Sequence, residues 1–162
     1  ANMPIQPSTT SHPLSCAAMN VIFSIHSHTR WLVAGLLLIA IIKLGITVMR
    51  RGDFTKADSG LTSAAVGILD LQVLAGLVYL IGTGAYDAQY RIEHVVTMIV
   101  AVFGAHMTSR FKKHPGPVRA QRTFLALIVV ALLVFVGVMR LPGNGWTRGM
   151  DRSSPAPVTV MK

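Results

Sequence analysis

Four apolar stretches, each near the length needed to cross a bilayer, constrain this chain more than any single motif. They run over residues 21–49, 61–82, 92–108 and 123–139. About 20 apolar residues in a helix span a hydrocarbon core of roughly 30 Å. Lipid at that depth excludes bare loops and open sheet edges, because nothing there can satisfy their backbone. The stretches therefore predict four transmembrane helices, the last two near the short end of the range. Composition agrees, with 52% of the 162 residues hydrophobic and 13% charged, about half the charge of an ordinary soluble domain. The expected fold is all-α and integral to the membrane, a four-helix antiparallel bundle over residues 21–140 with flexible termini at 1–20 and 141–162.

The tails carry their own signals. Residues 1–20 are rich in Pro, Ser and Thr, and residues 141–162 contain Pro142, Gly143, Gly145, Pro155 and Pro157; both compositions favour an unfolded or partner-bound segment. Met19 stands directly before the first apolar stretch and is a candidate start. Cys16 is the only cysteine, so it has no internal disulfide partner. Leu14-Ser15-Cys16 has the outline of a lipoprotein cleavage site, but no apolar run precedes it as a signal peptide requires.

A net charge of +9 invites a nucleic-acid reading, which the distribution of charge opposes. Arg50, Arg51 and Lys56 fall in the first loop, and Arg110, Lys112, Lys113, Arg119 and Arg122 in the third. The second loop holds only Arg91. Short loops rich in lysine and arginine stay in the cytoplasm. Eight against one therefore predicts both termini on the periplasmic side of a bacterial inner membrane, with Arg140, Arg148, Arg152 and Lys162 of the tail as the counterweight.

Imidazole is costly in hydrocarbon, so histidines at lipid-length segments mark a functional site by default. His26 and His28 open the first segment and His94 the third. With both segments running the same way, His28 (or His26) and His94 come to matched depth near the outer face. His26 and His28 lie about 200° apart around a helix, so one of them faces inward. Such a pair suits a b-type haem held between facing helices, with Arg30 and Arg91 at the same rim able to pair with propionates. The plainer reading is that rim histidines hydrogen-bond in the interfacial zone. Glu93 points about 100° away from His94 and is expected to serve another neighbour. Tyr79, Tyr86 and Tyr90 read as interface anchors.

A second polar set lies deeper. Asp70 falls near the middle of the second segment with Gln72 close by, and Lys43 and His106 lie in the inner half at comparable depth, His106 being about 18 Å along the axis from His94. An unpaired carboxylate there is expensive, so Asp70 is expected to pair with Lys43 or bond to His106. The functional reading is a proton or quinone-headgroup site; the structural one, favoured here, is a polar clasp between helices. The fourth segment has no polar residue after Thr123 and is assigned packing alone. No nucleotide, Cys-x-x-Cys or hydrolase motif is present, and no activity is expected of the chain by itself.

His26-Ser-His28-Thr-Arg30-Trp31, Leu69-Asp70-Leu-Gln72-Val-Leu-Ala-Gly76 and Arg91-Ile-Glu93-His94 with the later His106 resemble small four-helix bacterial membrane proteins described as cytochrome b-like. The likeness covers about residues 22–140. It implies a haem-binding or electron-transfer role through His28, His94 and His106. The chain departs from two-haem transmembrane cytochromes, which place paired histidines at both faces. Here the inner face offers His106, with His114 in the loop beyond. The expectation is a subunit of a quinol-oxidising or photosynthetic electron-transfer complex that binds haem b near the periplasmic face, with a quinone close by. The alternative is a haem-free accessory subunit that stabilises larger partners.

Overall fold

The computed structural model describes residues 13–84, 86, 88–143 and 145–146. Four long helices follow in order: α1 (Pro13–Met49), α2 (Lys56–Thr83), α3 (Gln89–His106) and α4 (Gly116–Met139), with a short 3-10 helix, Met107–Lys113, after α3. All four are long and apolar enough to cross a membrane. Consecutive helices run antiparallel, as expected of an integral four-helix bundle.

Each helix starts earlier than its apolar stretch, because caps set helix ends whereas hydropathy marks only the part facing lipid. Thr55 opens α2 through a capping box: its hydroxyl accepts from the Asp58 N–H at 3.2 Å, and its own N–H donates to Asp58 Oδ2 at 2.8 Å. Gly84 closes α2 in the left-handed conformation, φ 60°, which glycine adopts at no steric cost. Prolines flank the start of α4, where a missing N–H costs nothing. The largest difference is at α1, which begins eight residues before the expected start. Residues 13–20 of the expected arm are helical, and Met19 packs over Gly82 of α2. The expected arm and tail otherwise fall on residues 1–12 and 147–162, outside the described residues.

The first residues beyond α4 fold back onto the bundle rather than leaving it. The Trp146 ring sits 5.4 Å from Trp31 and 5.8 Å from Phe135, and the Arg30 guanidinium donates to the Gly145 carbonyl.

Around the bundle, α1 packs on α2 and α4, and α3 packs on α4. The α2–α3 seam is the thinnest, and α1 faces α3 diagonally. The core follows alternating steps of three and four residues: Val33, Leu37, Ala40, Leu44 on α1; Thr62, Ala65, Leu69, Gln72 on α2; Met98, Ala101, Ala105 on α3; Ala120, Thr123, Leu127, Val130, Val134, Gly137 on α4. That seven-residue repeat is the seam of left-handed bundles. Lipid competes equally for apolar surface, so close backbone approach through small residues carries much of the association. Leu38, Phe103 and Leu132 face outward, each more than half exposed, as lipid contacts.

At the lysine- and arginine-rich end, a buried carboxylate ties α1 to α2. Lys43 Nζ lies 2.9 Å from Asp58 Oδ1, and the Thr55 hydroxyl donates to Oδ2 at 2.7 Å. This corrects the pairing expected for Lys43: its partner is Asp58, not Asp70, because Asp58 sits on the α2 stripe that meets α1. Asp58→Ala removes the capping box and the inter-helix tie together and should lower stability by about 2 kcal/mol. Lys43→Met should cost at least as much, since it leaves the buried carboxylate without its charge partner. Thermal unfolding in detergent measures both.

Candidate cofactor site

The α1 seam continues outward from Val33 to Arg30 and then His26 at the same three- and four-residue steps. The α3 seam runs back from Met98 to His94. Two imidazoles on diagonal helices are thereby set on the bundle's inner stripes. His26 Nδ1 donates to the Gln72 carbonyl of α2 at 3.0 Å, and His94 Nδ1 donates to the Gly137 carbonyl of α4 at 2.8 Å. A carbonyl can only accept, so both rings are fixed as the Nδ1–H tautomer when neutral. In each, Nε2 carries no hydrogen bond among the described residues. His94 and Arg30 lie within electrostatic range of the His26 ring.

His26 and Gln72 are bound reciprocally. The Gln72 side-chain amide donates to the His26 carbonyl at 2.7 Å, and its Oε1 accepts from the Thr29 hydroxyl. Gly76, one turn further along α2, lets the ring lie against the helix: a Cβ there would stand 2.7 Å from His26 Cε1. The Gly137 carbonyl is one of the last of α4 and lies beyond the helix's own hydrogen-bonding reach. His94 supplies its donor, while Leu141 N–H turns to Val138.

His28 takes another course. It is exposed, and its Nδ1 donates to Ser24 O of its own helix at 2.7 Å. The inward position of the His26/His28 pair thus belongs to His26. Arg30 is directed to Gly145 and stands 5.9 Å from the Trp31 ring. Arg91 lies 5.7 Å from the Tyr90 ring, with Nε 3.3 Å from the Tyr90 hydroxyl. Glu93 accepts from Gln89 at 2.8 Å and faces Arg140 at 4.0 Å, serving neighbours other than His94. Tyr79 packs on Phe23 at 5.2 Å.

The inner set divides. His106 Nε2 meets both oxygens of Asp70 at 3.1 Å, one of the two arrangements expected for Asp70. Gln72 departs from the expected cluster and joins His26 and Thr29: two residues beyond Asp70, it lies on another side of α2. The Asp70–His106 contact bridges the thin α2–α3 seam.

Two polar groups of these sites, the Gly137 carbonyl and Asp58, are absent from the residues singled out in the sequence. The Gly137 carbonyl has no side-chain signature. Asp58 was visible in the Thr55-Lys-Ala-Asp58 capping pattern. No protein-family model, curated protein or solved structure matches the chain.

Among the described residues, no three or more His, Cys, Asp or Glu side chains gather as a metal site. Two imidazoles alone suit an iron whose remaining ligands come from a macrocycle. Their Nδ1–H bonds to carbonyls are the outer-sphere contacts that orient ligating histidines and leave Nε2 to the metal. The chemistry of these two donors is compatible with a haem iron.

Gly76→Ala forces the His26 ring aside and should destabilise the fold by about 1–3 kcal/mol. Combining it with His26→Ala should recover part of that loss, since the clashing ring is gone; thermal midpoints of the three variants measure the coupling. Asp70→Asn should cost about 1 kcal/mol by the same measure.

Proposed function

We propose that this chain is an integral-membrane electron-transfer subunit that holds one b-type haem between His26 and His94. The observation that carries the reading is the matched pair of imidazoles on α1 and α3, each donating Nδ1–H to a neighbouring helix's carbonyl and each leaving Nε2 without a bond. His26 and His94 would hold the haem through their Nε2 atoms, and a bound haem would supply one-electron redox chemistry. The protein's own part is orientation. Gln72 and Gly76 hold the His26 ring against α2, Gly137 holds the His94 ring against α4, and the aliphatic layer beginning at Val33 and Met98 keeps water from beneath. Arg30 and Arg91 stand near the same end and are the candidate partners for propionates.

The resemblance to cytochrome b-like proteins supports the same reading, as does the loop charge. In this reading the lysine- and arginine-rich end faces the cytoplasm of a bacterium and the imidazole layer the periplasm, as the loop-charge bias favours. Such a subunit would pass electrons within a quinol-oxidising or photosynthetic complex, with partners contacting its outward apolar faces. The second reading, a haem-free accessory subunit, draws on the same bonds: His26 ties α1 to α2 and His94 ties α3 to α4, a sufficient structural role.

Haem content per chain separates them. In the purified full chain, a dithionite-reduced spectrum should show a b-type cytochrome with about one haem. His94→Ala and His26→Ala should each lose it, while His28→Ala should retain it. A folded wild-type chain lacking haem, both in isolation and in its native membrane, would contradict the proposal.

A further inference from the structure

At the opposite end of the bundle from the imidazoles, a cavity of about 250 Å³ opens between α2, the 3-10 helix and the start of α4. Three buried polar groups on its wall have no hydrogen-bond partner among the described residues: the hydroxyls of Thr62 and Thr123 and the Nε–H of Arg119. Thr62 is 7% exposed and Thr123 1%. A helical threonine ordinarily bonds back to a carbonyl one turn earlier, and a buried donor left unmade costs about 1–3 kcal/mol. Both threonines forgo that bond, and they come from different helices facing one cavity.

Arg119 decides the charge of what belongs there. Its guanidinium is stacked 3.9 Å from the Phe54 ring centre, which fixes the plane of the fork. A guanidinium has donors only and cannot lose its proton, so its buried Nε–H requires an acceptor. Lys112 lines the same cavity. The one acid on the wall, Asp70, is already engaged by His106. A quinone headgroup would offer two neutral carbonyls and leave the guanidinium uncompensated. A phosphate offers several acceptor oxygens and the opposite charge.

The position adds to this. Arg119 lies in the first turn of α4 and Thr62 about 9 Å into α2, at the end where lysine and arginine crowd the loops. Basic pockets between helices at such an end bind anionic lipid headgroups. We propose that this cavity is a binding site for an anionic phosphate group, held by Arg119, Thr62, Thr123 and Lys112. A phosphodiester of an anionic phospholipid and a free phosphate ion share that chemistry.

The test uses the full chain, delipidated in a phosphate-free maltoside detergent. Short-chain phosphatidylglycerol, inorganic phosphate and a short-tailed benzoquinone are added separately while thermal unfolding is followed by tryptophan fluorescence. Phosphatidylglycerol at saturation should raise Tm by about 5 °C. The Thr62→Val/Thr123→Val double variant and Arg119→Gln should lose that rise. The double variant removes hydroxyls that the fold does not bond, so its unliganded Tm should equal or exceed wild type, and it carries the test if Arg119→Gln folds poorly. A rise with the lipid alone identifies a headgroup site; an equal rise with inorganic phosphate identifies free phosphate. No rise with either, a rise that persists in the double variant, or a rise with the benzoquinone alone overturns the proposal.

Discussion

In hydrocarbon a ring N–H needs an acceptor, and the helices' own carbonyls are the ones within reach. That constraint organises the half of this bundle that holds His26 and His94. An interior helix carbonyl is already used by its own backbone and can take a second donor only where the neighbouring surface is open, as Gly76 leaves it beside Gln72. A carbonyl at a helix end lacks an intrahelical partner, as at Gly137. His26 and His94 reach these two kinds of acceptor and so fasten α1 to α2 and α3 to α4. The fixed tautomers follow from the fastening, and with them the availability of both Nε2 atoms.

The core is then layered along the membrane normal. Beneath the imidazoles lie Val33, Leu37, Ala40 and Leu44 with their partners on the other helices, a dry aliphatic section. Below that come hydroxyls and ions: Thr62, Thr123, and the Lys43–Asp58 pair. The two polar ends are separated by packing that offers no continuous hydrogen-bonded chain among the described residues. The imidazole layer at one end and the cavity at the other are therefore separate sites. The α2–α3 seam is the place where the bundle is least closed, bridged by Asp70 and His106.

Much of this was legible in the residues, and what was not has a physical cause. Helix number and polarity follow from apolar run lengths, because the bilayer imposes the same length on every span. Helix ends do not: Thr55 and Asp58 extend α2 beyond its apolar run, and α1 extends to Pro13 through residues that hydropathy does not flag. Depth along the axis was readable from residue counts, so Asp70 and His106 were placed together correctly. Azimuth was not, since a helix that is apolar all round hides its seam. That is why Lys43 has Asp70 as one expected partner, and why Gln72 is grouped with Asp70 although it lies on another side of α2. Stepping outward from Leu44 through Ala40, Leu37 and Val33 by threes and fours arrives at Arg30 and His26 and skips His28. The Gly137 carbonyl could not be found from side chains at all, since every residue has one.

The most direct test of the central claim is the electron paramagnetic resonance spectrum of the oxidised, full-length wild-type protein in its native membrane. The account predicts a low-spin ferric signal of the two-imidazole kind, which disappears when His94 is replaced by alanine. A high-spin signal assigned to the chain, or a low-spin signal unchanged by that replacement, would contradict it.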